Sequence, residues 1–242
     1  MRLEADRALP RARRPQARDR SHSRWLVFSE PGAPLVTVCG LHGGAGTTTV
    51  ACMLAEHAAA VSPAGHVLAV EADGRAAELA GRLRAASELS LNALAGAGST
   101  GAPIAQRADG LRVLAAAAPH TAEPPAGALA AVLAQARAAH ALCVIDAGCV
   151  RQPPAEPALA GADVVVWVSE PARLAADAFG SPLIRPTRGA RWVLALVPRT
   201  RARRGRLPRS LRDELDAVVV MPPSDEPHSH EAAERLARAV RG

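Results

Sequence analysis

Apolar residues in this chain gather in short unbroken runs instead of alternating with polar ones. Leu35–Gly40, Val67–Val70, Leu111–Leu114, Leu142–Ile145, Val164–Val168, Trp192–Val197 and Val218–Met221 read as strands buried on both faces. Between them lie segments with helical spacing: Thr48–Ala60, Ala76–Leu83, Leu89–Ala95, Ala126–Ala139, Arg173–Phe179, Leu207–Leu215 and Glu231–Val240. Doubly buried strands that alternate with helices predict an α/β fold, a mostly parallel sheet covered by helices on both faces. Ligands on such sheets bind at the carboxyl ends of the strands. The chain shows no internal repeat and no second core.

The N-terminal stretch breaks this pattern. Residues 1–24 hold eight Arg and three acids with little apolar periodicity. The reading is a basic disordered arm over residues 1–30, followed by one domain over 34–242. Near the end of the arm, Trp25–Phe28 reads as a short strand or docking segment.

Length and composition narrow the class. A chain of 242 residues, 49% of them hydrophobic, can bury a sizeable core without disulfides or metals. No run reaches the roughly 18 apolar residues of a membrane-spanning helix. The basic N-terminus has no apolar segment behind it, so a secretory signal is not expected. Four cysteines without a C-x-x-C pair predict free thiols in a reducing cytosol. Cys39, Cys52 and Cys143 read as small buried hydrophobes, and Cys149 as the thiol nearest the chemistry. The expected location is cytoplasmic, with peripheral association to membrane or nucleoid left open.

All 29 basic residues are Arg, and the net charge is +6. Arg in place of Lys throughout reads as GC-rich coding, so it is no nucleic-acid signature. The distribution says more. Arg199–Arg212 holds seven Arg and no acid. With residues 1–24 it could form a footprint for an anionic partner, DNA or lipid; the plainer reading is a solvated surface. Two Phe, three Trp and no Tyr argue against a platform for stacking single-stranded bases.

The candidate chemistry starts where the first strand ends. Leu35–Gly40 runs into Leu41-His42-Gly43-Gly44-Ala45-Gly46-Thr47-Thr48-Thr49 and then into a helix. A strand, a glycine-rich turn and a helix N-terminus together aim backbone N–H groups at phosphate. Thr48 opens the helix with a hydroxyl suited to Mg²⁺.

This segment resembles the deviant Walker A loop of the MinD/ParA family of P-loop ATPases, lysine-Gly-Gly-x-Gly-lysine-Thr-Thr. The frame matches and both lysines are missing. Thr47 stands for the lysine that reaches the β- and γ-phosphates. His42 stands for the signature lysine, which in the family reaches across a dimer. Drift toward Arg does not explain either change, because Arg would then occupy both positions. A charge-assisted bond contributes about 1.5–3 kcal/mol, so losing one weakens nucleotide binding by roughly 10- to 100-fold. Hydrolysis suffers more, because phosphoryl transfer depends on positioned positive charge.

The resemblance extends over about residues 34–242. Val67–Asp73 resembles the family's second strand, which implies a water-orienting role for Asp73, with Glu71 where the family usually has Asp. Capping of the next helix is the competing reading of Asp73, and the one favoured without the lysines. Cys143–Gly148 resembles the Walker B strand, which implies that Asp146 and Thr48 hold Mg²⁺. Val218–Asp225 resembles the last strand and its Pro-x-Asp ending near the base. No Asn follows Leu196-Val197-Pro198-Arg199, so adenine selectivity is not carried over. The resemblance thus implies a nucleotide site of His42, Gly43, Gly44, Ala45, Gly46, Thr47, Thr48 and Thr49, with ATP or ADP and Mg²⁺ as ligands, and a homodimer.

Arg75 and Arg151 offer replacement cations, with solvated surface as the plainer reading. His42 could donate to phosphate when protonated, or be an ordinary loop residue. His228-Ser229-His230 is a weak metal pattern. Three functional readings follow. The first is a degenerate nucleotide-binding, or formerly nucleotide-binding, regulator with weak or absent hydrolysis. Its role would be positioning, such as partitioning, septum placement or organisation of a secretion or conjugation apparatus. The second is an active ATPase using Arg and backbone in place of the lysines. The third is a non-enzymatic adaptor for an anionic partner.

Overall fold

The computed structural model describes residues 33–63, 66–73, 78–85, 105–115, 126–153, 155–174, 189–199, 209–222 and 229–242. The basic arm, Trp25–Phe28, Arg75, the helix expected at 89–95, most of that at 173–179, most of the seven-Arg segment, Asp225 and His228 lie outside the described residues.

The apolar runs become β1 (Leu35–Gly40), β2 (Val67–Glu71), β4 (Arg112–Leu114), β5 (Leu142–Cys149), β6 (Val164–Ser169), β7 (Arg191–Leu196) and β8 (Ala217–Val220). They pair in parallel, and a short β3 (Ala105–Gln106) adds antiparallel to β4 at one edge. The order across the sheet is β3-β4-β2-β5-β1-β6-β7-β8. The mostly parallel sheet is therefore observed, with one strand more than expected. β3 escaped notice because two residues, one of them Gln106, make no apolar run.

The helices are α1 (Thr47–Val61), α2 (Leu79–Arg82), α3 (Ala126–Ala139), α4 (Ala155–Ala160), α5 (Arg209–Glu214) and α6 (Ser229–Arg241). The apolar pattern by itself marks no helix at α4, which contains Pro157. This proline falls in the first turn, where its missing N–H interrupts no helical bond. Two apolar layers flank the sheet. Val36 and Val38 of β1 face Val50, Leu54 and Ala58 of α1 and Leu236 and Val240 of α6. Leu35 and Cys39 face the other way, in a layer with Leu129 and Leu133 of α3, Ala158 of α4 and Trp167 of β6. The last helix thus packs on α1 and on β7 and β8 at the sheet edge. Among the described residues no helix is long and apolar enough to cross a membrane.

β5 runs four residues past the predicted end at Ile145. Asp146 and Gly148 interrupt the apolar pattern but not the ladder: Asp146 pairs with Glu71 of β2 and Val38 of β1, and Cys149 pairs with Gly40. A register shift in β1 between Val38 and Gly40 sits beside Asp146. Because β2, β5 and β1 are parallel neighbours, the loop after β1, Asp73 after β2 and the end of β5 emerge together at the carboxyl end of these central strands.

Candidate functional site

The loop after β1 is shaped by two glycines in the left-handed region, Gly44 at φ 72° and Gly46 at φ 95°. Gly46 is the N-cap of α1, and no side chain caps the helix. No acid lies in the first turn either. The first N–H groups of α1 are therefore free of side-chain caps and carry the positive end of the helix dipole. They open onto a cavity of about 430 Å³. It is lined by residues 42–49 together with Asp73, Glu78, Arg82, Gly148, Cys149 and Gln152. The fold thus brings all the residues expected to contact nucleotide to one cavity, with Asp73 beside them and Asp146 behind.

Thr47 is buried at the foot of this loop. A Cβ built on Gly40 would lie 2.5 Å from its Oγ1, so the hydroxyl packs against the Gly40 backbone. That close approach requires glycine at position 40. A threonine side chain ends there and puts no charge over the cavity.

Thr48 hydrogen-bonds the carboxylate of Asp146, which also accepts the Gly148 N–H at 3.1 Å. Asp146 is 3% exposed. Burial pushes its carboxyl above the usual range; the bonds from Thr48 and Gly148 pull it down, nearby Asp73 raises it and the charge of Arg82 lowers it. A hydroxyl and a buried carboxylate held together are a hard-oxygen donor set that fits Mg²⁺.

Asp73 is also buried, and its carboxylate packs against Gly148, where a Cβ would collide with it. Gly148 has φ 66°, so glycine is required there for backbone and for space alike. The cap expected of Asp73 falls on residues 74–77, outside the described residues; the described start of the next helix is held by Glu71. The Glu71 carboxylate accepts the Leu79 N–H at 2.9 Å, and α2 opens at Leu79. The family's usual Asp at position 71 would be one methylene shorter. Here the longer acid, almost fully buried, ties β2 to α2.

His42 lines the cavity but turns back on its own chain. Its Nε2 accepts the Glu170 N–H at 3.4 Å, which leaves Nδ1–H to donate to the Gly43 carbonyl at 3.0 Å. Both ring nitrogens are thereby engaged by backbone, as in the reading of His42 as an ordinary loop residue. Arg151 is exposed and does not line the cavity.

Two other arginines do reach the loop, and sequence reasoning missed both. Arg199, just after β7, donates to the Gly44 carbonyl at 3.0 Å and lies 3.5 Å from Glu170. Val197 of the same segment packs on Gly46. Arg82 of α2 lines the cavity and donates to the Thr49 hydroxyl at 2.9 Å. The signal for Arg82 was present as Glu78 and Arg82, an i,i+4 pair after an acid-ended strand. The signal for Arg199 was not local: it depends on β7 lying one strand from β1 across β6.

Cys149 is partly buried at the cavity, while Cys39, Cys52 and Cys143 are buried. Burial pushes the Cys52 and Cys143 thiols up to about 12, and Cys39 higher still. All three are inert small hydrophobes. Among the described residues no cluster of His, Cys, Asp or Glu forms a metal site. His230 instead lies against His57, ring centroids 5.5 Å apart.

A parallel sheet with a glycine-rich loop entering α1, and with acids from two neighbouring strands beside it, has the layout of a P-loop fold. No family model matches the chain, and no curated protein matches it in sequence. Solved structures do match. The septum site-determining protein MinD of Pyrococcus horikoshii, complexed with Mg-ADP, is 20% identical over 86% of this chain and 86% of its own, with a TM-score of 0.65. The cell division ATPase MinD of Pyrococcus furiosus is 19% identical over 86% of this chain and 98% of its own, at 0.67. A plasmid partition protein from Borrelia burgdorferi is 14% identical over 85% of this chain and 98% of its own, at 0.60. The chain has a MinD/ParA-like fold.

Proposed function

We propose that this protein is a degenerate MinD/ParA-like nucleotide-binding regulator, with slow or absent hydrolysis and a positioning role such as partitioning, septum placement or organisation of a secretion or conjugation apparatus. One observation carries the reading. The cavity keeps the backbone cradle, the Thr48–Asp146 pair and Asp73, while neither loop position that holds lysine in the family holds a cation.

Each part has a defined task. The uncapped N–H groups of α1 and the loop around Gly44 and Gly46 bind phosphate oxygens through backbone dipoles. Thr48 and Asp146 hold Mg²⁺, which when bound neutralises phosphate charge. Asp73 orients water if hydrolysis occurs. Thr47 supplies no charge to a developing negative transition state, so turnover is the step that suffers most. His42, engaged by Gly43 and Glu170, is turned onto its own chain, so a homodimer of this protein is held by other contacts.

Arg199 at Gly44 favours a second reading, a working ATPase with arginine in place of lysine. Mg²⁺-ATP turnover that disappears in Asp73→Ala would establish it over the first.

Calorimetry with Mg²⁺-ATP and Mg²⁺-ADP on the wild type and on Thr47→Lys tests the reading. The expected result is micromolar binding by the wild type and binding tighter by roughly 10- to 100-fold in Thr47→Lys. Binding only by Thr47→Lys would make the site a relic. Binding by neither would overturn the assignment of the loop.

A further inference from the structure

The loop lacks a cation, yet the cavity does not. Among the described residues lining it, Arg82 carries the sole permanent positive charge. The acids Asp73 and Glu78 line the same cavity, and Asp146 lies behind Thr48. Arg82 is not packed into the core: its side chain is 48% exposed. Polar contacts hold it at the cavity. Nη1 donates to Thr49 Oγ1 at 2.9 Å, in the first turn of α1. Nε and Nη2 both donate to Glu78 Oε2, at 3.0 and 2.7 Å.

This is how a guanidinium waits for an oxyanion. Its fork of N–H donors matches carboxylate and phosphate oxygens alike, so Glu78 occupies the place that a phosphate oxygen would take. A phosphate seated on the α1 N-terminus would lie beside Thr49 and within the sweep of the exposed Arg82 side chain. We propose that Arg82, entering from α2, is the phosphate-binding cation of this site in place of the missing loop lysine, and that Glu78 holds it in position and competes with the ligand for it. The inference rests on the nucleotide-binding reading above. It adds a consequence: the charge comes from a short helix after β2 instead of the loop itself, so it is lost whenever that helix moves away.

The test is Mg²⁺-ATP calorimetry on the full chain with Arg82→Ala, Arg82→Lys, Glu78→Gln and Thr47→Lys. Circular dichroism melts check that each variant is folded. Arg82→Ala is expected to weaken binding by roughly 10- to 100-fold. Arg82→Lys should recover part of that loss, and Glu78→Gln should tighten binding a few-fold by freeing the guanidinium. Thr47→Lys should make binding insensitive to Arg82→Ala when the two are combined. Equal affinity of wild type and Arg82→Ala would overturn the role of Arg82 and leave nucleotide binding standing. Binding by Thr47→Lys and not by wild type would also overturn it, since Arg82 would then supply nothing. Binding by no variant would overturn the nucleotide reading and this inference with it. Weaker binding in Glu78→Gln would assign Glu78 to the ligand and refute the competition.

Discussion

Asp146 shows a functional group held against its own solvation. Its carboxyl is almost fully buried, and burial raises it above the ordinary carboxylate range. The folded protein therefore binds this proton more tightly than the unfolded chain does. Folding stability from this group rises as pH falls toward the ordinary value of 3.8, and at neutral pH the ionised form is destabilising. Asp146→Asn can still accept the bonds of Thr48 and Gly148 without the charge. The expected outcome is a higher Tm at pH 7, by about 2–4 °C for each kcal/mol relieved. Mg²⁺-dependent nucleotide binding should be lost in the same variant. Scanning calorimetry and titration on one preparation check both; a lower Tm would show that the carboxylate contributes more as a structural acceptor than it costs by burial.

The elements carry a second pH response, at the contact of α1 with α6. His57 of α1 is buried, and burial lowers its pKa below 6.5; the neighbouring His230, Arg241 and Arg238 act in the same direction and Glu234 opposes them. His140, at the end of α3, is lowered by burial as well. A depressed histidine contributes stability that is complete above the unfolded value of 6.5 and is lost as pH falls through the folded value. Acidification from pH 7 should therefore lower Tm, beginning near pH 6.5. His57→Gln should make that acid slope shallower, with the part due to His140 remaining. Melts at several pH values check this, and an unchanged slope in His57→Gln would remove the α1–α6 contact as its source. At the same scale the sequence was easiest to read where apolarity was continuous. β1, β6 and α3 stand where the pattern put them. It was hardest where the apolar pattern breaks inside an element: Asp146 and Gly148 in β5 and Gln106 in β3.

Charge is partitioned over the whole molecule. Eight Arg against three acids in residues 1–24 and seven Arg without an acid in residues 199–212 flank a body of nearly balanced charge. If these segments form one footprint, binding to duplex DNA or anionic vesicles depends on salt more than on nucleotide. The expected outcome of deleting residues 1–24 is loss of most such binding with the Tm within about 2 °C of the full chain. Fluorescence anisotropy with DNA, vesicle sedimentation and a melt check this. Retained binding in the deletion would move the footprint to the second Arg segment.

By itself the sequence determined the α/β class, the glycine-rich loop between β1 and α1, the missing lysines and the two acids that end β2 and occupy β5. These are local facts: burial on both faces leaves a continuous apolar run, and a tight turn before a helix leaves glycines at Gly44 and Gly46. Which cation faces the cavity is not local. Arg151 lies near Asp146 along the chain and stays outside the cavity, while among the described residues Arg82 and Arg199 touch the loop. Arg82 arrives through the packing of α2 beside α1, and Arg199 through the placement of β7 beside β6. Likewise the fold brings Glu170, 128 residues away, against the His42 ring. A side chain's reach is set by distances in space, and only the tertiary structure fixes those for residues far apart in sequence.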